Sequence, residues 1–266
     1  MRGGIRKPAV AGMFYPADPG ELAREVDALL EDARRRLRSE ERASRSQPKA
    51  LIVPHAGYVY SGATAARAYA RVIPAAGSIS RVVLFGPAHR APVAGLALPR
   101  NTVFRTPLGD VPIGVFDASG LPQVEVSDRA HAQEHSLEVQ LPFLQRALGE
   151  FELVPFVVGG AGAAEVSAVV ERSWGGPETL LVFSSDLSHY HSYADAQRLD
   201  AETVERMLTF DGPLDPRRAC GAHPVNGLLL SAARRGLSSE LLDLCNSGDT
   251  AGDKDRVVGY ASIGVG

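Results

Sequence analysis

The sequence predicts an α/β fold with a mostly parallel or mixed central sheet flanked by helices. The prediction rests on short aliphatic or β-branched runs, on helical patterns between them, and on the alternation of the two through much of the chain. The runs fall at residues 50–53, 81–85, 153–158, 180–183 and 257–263. Each is continuously apolar, as in strands covered on both faces. The helical patterns cover residues 21–37, 63–72, 137–148, 165–173, 193–208 and 225–234, which places the sheet between helical layers.

A chain of 266 residues is read as one domain spanning 1–266. Its 45% hydrophobic content supports a sizeable core, and its 22% charged content excludes wholesale disorder. A formal net charge of -3 gives no field that would attract nucleic acid or an anionic membrane. The basic run at 34–45 follows Glu31 and Asp32 and is interleaved with Ser39, Glu40 and Glu41, so it reads as a solvated helix end and linker. Cys220 and Cys245 are the only cysteines, in no C-x-x-C arrangement, which suits a reducing compartment. The first 18 residues lack the apolar core of a signal peptide, and no apolar stretch reaches the roughly 20 residues of a bilayer span. A cytoplasmic location is expected.

Three predicted strands end alike. Leu51-Ile52-Val53 runs into Pro54-His55-Ala56-Gly57-Tyr58, and Val82-Val83-Leu84-Phe85 runs into Gly86-Pro87-Ala88-His89. Leu181-Val182-Phe183 runs into Ser184-Ser185-Asp186-Leu187-Ser188-His189. Polar residues therefore collect at one sheet edge, and ligand sites of open α/β sheets lie outside the carboxyl ends of strands.

His55, His89, His135, His189 and His223 all fall at strand ends or helix starts. Any one alone reads as a structural histidine satisfying a loop carbonyl; their shared position is what points to a metal. Two neutral imidazoles plus one anionic ligand, with open positions, is the arrangement of non-haem iron and of several copper or zinc sites. Spacing leaves the anionic ligand open between Asp186 and Cys245. On general grounds Cys245 also reads as a buried inert thiol, and Asp186 as a helix N-cap for Leu187 onward.

Together these motifs resemble the Memo family, also known as the AmmeMemoRadiSam system protein B and related to class III extradiol ring-cleavage dioxygenases of LigB-like fold. The resemblance begins at Arg6-Lys7-Pro8-Ala9-Val10-Ala11-Gly12-Met13-Phe14-Tyr15-Pro16 and continues through the segments of His55, with Ser61-Gly62, and of His89. It then takes in Glu134-His135-Ser136-Leu137-Glu138, the Asp186 segment and Val258-Gly259-Tyr260-Ala261. What it implies is a site with His55, His89 and Cys245 as metal ligands. Asp186 and His189 are implied beside the open positions as the acid–base pair, with His135 facing the same cavity against substrate. One ion is implied, iron(II) or copper, with zinc also accommodated. The ring-cleaving relatives use a carboxylate as third ligand; a thiolate keeps the negative charge but is softer, which shifts preference toward copper(I), zinc or a thiophilic iron site. The implied function is a metal-dependent, dioxygenase-like oxidoreductase acting on a small molecule. A peptide- or partner-binding module on the same fold is the non-enzymatic reading.

Other motifs point elsewhere. His131-Ala132-Gln133-Glu134-His135 matches H-x-x-E-H, the pattern of a zinc hydrolase, although Ser136 as a helix N-cap would split it between a loop and a helix start. Gly159-Gly160-Ala161-Gly162 fails the dinucleotide register because Glu165 stands where a Gly or Ala is needed. No G-x-S-x-G occurs, and Ser184 and Ser185 read as turn residues.

Overall fold

A computed structural model describes residues 4–39 and 47–266. The linker part of the predicted charged segment lies outside those residues. Within them, Arg34, Arg35, Arg36 and Arg38 pair with Glu31 or Asp32 on an exposed helix face, as a solvated helix end does.

The chain begins with β1 (Ile5–Arg6), α1 (Pro19–Ser39), β2 (Ala50–Val53), α2 (Tyr58–Ala70), β3 (Arg81–Pro87), β4 (Leu96–Leu98), β5 (Val103–Thr106) and β6 (Gly109–Pro112). It continues through β7 (Val124–Val126), α3 (Asp128–Ala132), α4 (His135–Glu138), α5 (Leu141–Leu148), β8 (Glu152–Val158) and α6 (Ala163–Ser173). The last third holds β9 (Thr179–Ser184), β10 (His189–His191), α7 (Tyr193–Leu208), α8 (Ala222–Arg235), β11 (Ser239–Asn246) and β12 (Val257–Val265).

The sheet is mixed. Strands β2, β9, β3 and β8 lie side by side and parallel, so their carboxyl ends share one edge. Antiparallel β12 borders β2 and pairs with β11, and its first residues pair with β10. On the far side antiparallel β4 carries β7, while β1, β5 and β6 form a separate small sheet.

Side chains alternate between two cores, as period-two strands require. Leu51, Val53, Val82, Leu84, Leu180 and Val182 pack under α1, α2 and α5 through residues such as Val26, Tyr69 and Phe143. Ile52, Val83, Phe85, Leu181 and Phe183 face α6, α7 and α8 through Val169, Met207 and Leu228. Register places Phe85 between Phe156 and Phe183, with ring centroids 5.0 and 4.7 Å away and planes nearly parallel. Each such ring, fully buried, contributes about 1.5–3 kcal/mol.

Helix α7 runs over the predicted 193–208, and the side chain of Ser192 caps it by accepting from the Asp195 N–H. The pattern at 137–148 is instead two helices. Pro142 cannot donate to the carbonyl of Glu138 and would clash with it, so the chain breaks at Val139 and Gln140. No helix among the described residues is long and apolar enough to cross a membrane.

Candidate metal centre

Because β2, β3 and β9 are parallel and in register, the turns after them converge. His55 follows β2, His89 follows β3, and Ser184 ends β9 two residues before Asp186. The rings of His55 and His89 lie 5.2 Å apart, centroid to centroid. The third donor comes from the loop before α8: Cys220 Sγ lies 3.2 Å from His55 Nε2, and one donor atom each from His55, His89 and Cys220 fall within 4.8 Å of one another.

Both histidines are held in one tautomer. Ser184 Oγ donates its single proton to the Ser136 carbonyl, so its 2.7 Å contact with His55 Nδ1 makes that nitrogen the donor. Gln140 Nε2 also donates to Ser184 Oγ and to the Pro54 carbonyl, while Gln140 Oε1 accepts from Tyr69. His89 Nδ1 lies 2.9 Å from Glu134 Oε1, and Glu134 Oε2 accepts the His89 main-chain N–H. Each imidazole therefore keeps the lone pair of Nε2 for another partner. Burial pushes the His55 pKa well below its ordinary value, and charge on His89 or His135 would push it further. Burial would raise Glu134, but its bonds from His89 and Ser136 outweigh that and hold its carboxyl at about 2.

Cys220 stands just before Gly221, the N-cap of α8, and accepts from the Asp186 main-chain N–H at 3.3 Å. Burial raises its thiol pKa far above the ordinary value. A cation bound beside it reverses that preference, because a coordinating thiol loses its proton.

Asp186 is buried, its Oδ1 accepting from the His55 main-chain N–H at 2.7 Å and its Oδ2 lying 4.0 Å from His55 Nε2. Burial, opposed by the N–H groups of His55 and Ala56, raises its pKa to about 7. It caps no helix; the chain after it forms β10. His189 Nδ1 bonds the Leu187 carbonyl, which leaves Nε2 available, and burial lowers its pKa. His135 stacks on His89 at 4.7 Å, and burial lowers it to about 4. These residues line one open cleft of about 680 Å³, walled also by Phe14, Tyr60 and Tyr260. At its rim Tyr190, a non-glycine residue with φ of 63°, holds a backbone conformation costing about 1–3 kcal/mol, the kind of strain found at functional sites.

Cys245 is not among these residues. It lies on β11 with Sγ 3.1 Å from Thr64 Oγ1, lining a separate hollow with Gln197 and Asp200. Thr64 spends its proton on Asp243, so Cys245 is the donor, a neutral thiol whose pKa burial raises to about 11. The sulfur facing the histidines is that of Cys220. Nor does the H-x-x-E-H pattern form a site: His131 sits on α3, bonds the Ala97 carbonyl and packs on Phe104, while Glu134 and His135 begin α4. His223 bonds the Ala161 carbonyl on α8, outside the cleft lining.

Ser184, read as a turn residue, is instead the partner that orients His55. Gln140 and Glu134 were likewise not assigned these roles. A signal for Cys220 lay in its neighbour: a Cβ on Gly221 would meet the Ser184 carbonyl at 2.4 Å, so only glycine lets this loop approach the end of β9.

The family model described as Memo-like protein matches residues 6–264. The chain belongs to the Memo family. Proteins described as MEMO1 family protein from Methanosarcina acetivorans and Aquifex aeolicus are each 37% identical to it, covering 97% of this chain and 98% of each relative. One from Sulfolobus acidocaldarius is 34% identical over 98% of this chain and 99% of its own length. For this Memo-family chain the donor set suits a metal ion: one nitrogen each from His55 and His89 and the Cys220 sulfur lie within 4.8 Å of one another, and imidazole and thiolate are ligands of zinc, copper and iron sites.

Proposed function

We propose that this chain is a metal-dependent oxidoreductase holding one iron(II) or copper ion through His55, His89 and Cys220, in a reducing compartment such as the cytoplasm. The observation that carries the reading is the pair of cleft-lining imidazoles whose Nδ1 atoms are engaged by Ser184 and Glu134, with Nε2 of His55 beside the Cys220 sulfur. Two imidazoles and one thiolate favour iron(II), copper(I) or zinc over harder ions. The bound ion supplies electron transfer and Lewis acidity to a small substrate in the cleft. Asp186 and His189 hold and move protons there: one carboxyl titrates near neutrality, and one imidazole has a free Nε2. His135 and Phe14 form a wall against which a flat substrate rests.

Exposed Met13, Val59 and Tyr190 near the cleft favour, as a second reading, capture of a peptide without turnover. The two separate on dioxygen consumption. Protein loaded anaerobically with iron(II) or copper(I) is expected to consume dioxygen with some member of a catechol panel, and His189→Ala to lose that activity while keeping its metal. Loaded protein that consumes none with any member supports the binding reading instead.

A further inference from the structure

We propose that Arg256 is a specificity determinant that selects an anionic aromatic substrate, an inference that rests on the small-molecule reading of the cleft. Among the described residues lining the cleft, Arg256 is the one lysine or arginine. No carboxylate of the described residues pairs with its guanidinium, whereas Arg105, Arg146 and Arg235 at other exposed positions each grip one. The adjacent Asp255 forms no ion pair with it, and Asp253, which also lines the cleft, turns Oδ1 back to the main-chain N–H groups of Asp255 and Arg256, closing a turn. Lys254 lies over Tyr193 instead.

The guanidinium sits 5.0 Å from the centroid of the Tyr190 ring, which meets the His189 ring edge-on at 5.8 Å. A cation–aromatic contact fixes the fork without using its N–H donors, which remain free for a planar anion. His189, Tyr190 and Arg256 thus lead from the acid–base imidazole to the cleft mouth. Inside, Phe14, Tyr60 and Tyr260 offer ring surfaces. An aromatic ring between those walls, with its reacting end toward His189, points a carboxylate at Arg256.

The test is calorimetric binding of 3,4-dihydroxybenzoate and of catechol to anaerobic iron(II)-loaded protein, for wild type, Arg256→Met and Arg256→Lys. Wild type is expected to bind the benzoate about tenfold tighter than catechol, with an advantage that shrinks as salt rises. Arg256→Met should lose that factor while leaving catechol unchanged, and Arg256→Lys should keep part of it. Equal affinity for both probes, or equal weakening of both in Arg256→Met, overturns the assignment and leaves the oxidoreductase reading standing. Wild type that binds neither probe overturns both.

Discussion

Cys220 Sγ and His55 Nε2 meet at 3.2 Å although 165 residues separate them in the chain. The contact exists because β2 and β9 are parallel neighbours, which puts His55 next to the turn after β9, and because Gly221 lets the loop before α8 close on that turn. The relationship fixes which sulfur joins the histidines.

Ser184→Ala removes the acceptor of His55 Nδ1 and leaves the side-chain amide of Gln140 with one bond fewer. Freed from that partner, the imidazole loses its fixed tautomer and orientation. Metal affinity should fall about 10–100-fold with little change in secondary structure, as loss of an outer partner typically does. Competition with a chromophoric chelator measures it; unchanged affinity would contradict the role given to Ser184.

Asp186 sets a pH dependence of the metal-free protein. Its pKa is about 7 in the fold against an ordinary 3.8, so the folded state binds more protons between those values. The stability this gives is fully present below the lower value and is lost as pH rises through about 7. Across that window it amounts to on the order of 4 kcal/mol. The buried His55, His131, His135 and His189, whose pKa values are lowered, act in the opposite sense over this range, so the Asp186 contribution is read as a difference. In urea unfolding of chelator-treated protein, Asp186→Asn should gain more stability between pH 5 and pH 8 than wild type does. Equal pH dependence in the two proteins is the contrary result.

Glu138 ties the N-terminal segment to the helix that begins with His135. Buried, it accepts from the Ala9 and Val10 N–H groups, from the Tyr15 hydroxyl and from Arg6, itself buried. Glu138→Gln leaves Arg6 as an uncompensated buried charge, which costs about 3–5 kcal/mol. A shift of the urea midpoint to match, at unchanged slope, is expected; a shift below about 1 kcal/mol would show that the pair is not the anchor.

Much of the architecture was legible because buried parallel strands write themselves as continuous apolar runs: β2, β3, β8 and β9 all contain or match the predicted segments. The strand-end rule likewise pointed to His55, His89, Asp186 and His189, which do line one cleft. The rule is blind to Cys220, which follows no strand and sits in a loop before a helix. It also gave no reason to doubt Cys245, because β11 was not foreseen: Ser239–Asn246 mixes Glu240 and Asp243 among its leucines, as a strand buried mainly on one face does. Ser184 and Gln140 were hidden for another reason. Their work is to hold a neighbour, and partners 129 residues apart, such as His55 and Ser184, leave no local pattern.

The central claim is the ligand set, and metal content tests it most directly. Protein purified anaerobically, then refilled with iron(II) or copper(I), is compared as wild type, Cys220→Ser and Cys245→Ser by elemental analysis. About one ion per chain in wild type and in Cys245→Ser, with little in Cys220→Ser, is the predicted result. Metal lost from Cys245→Ser and kept in Cys220→Ser, or absent from all three, would contradict the account.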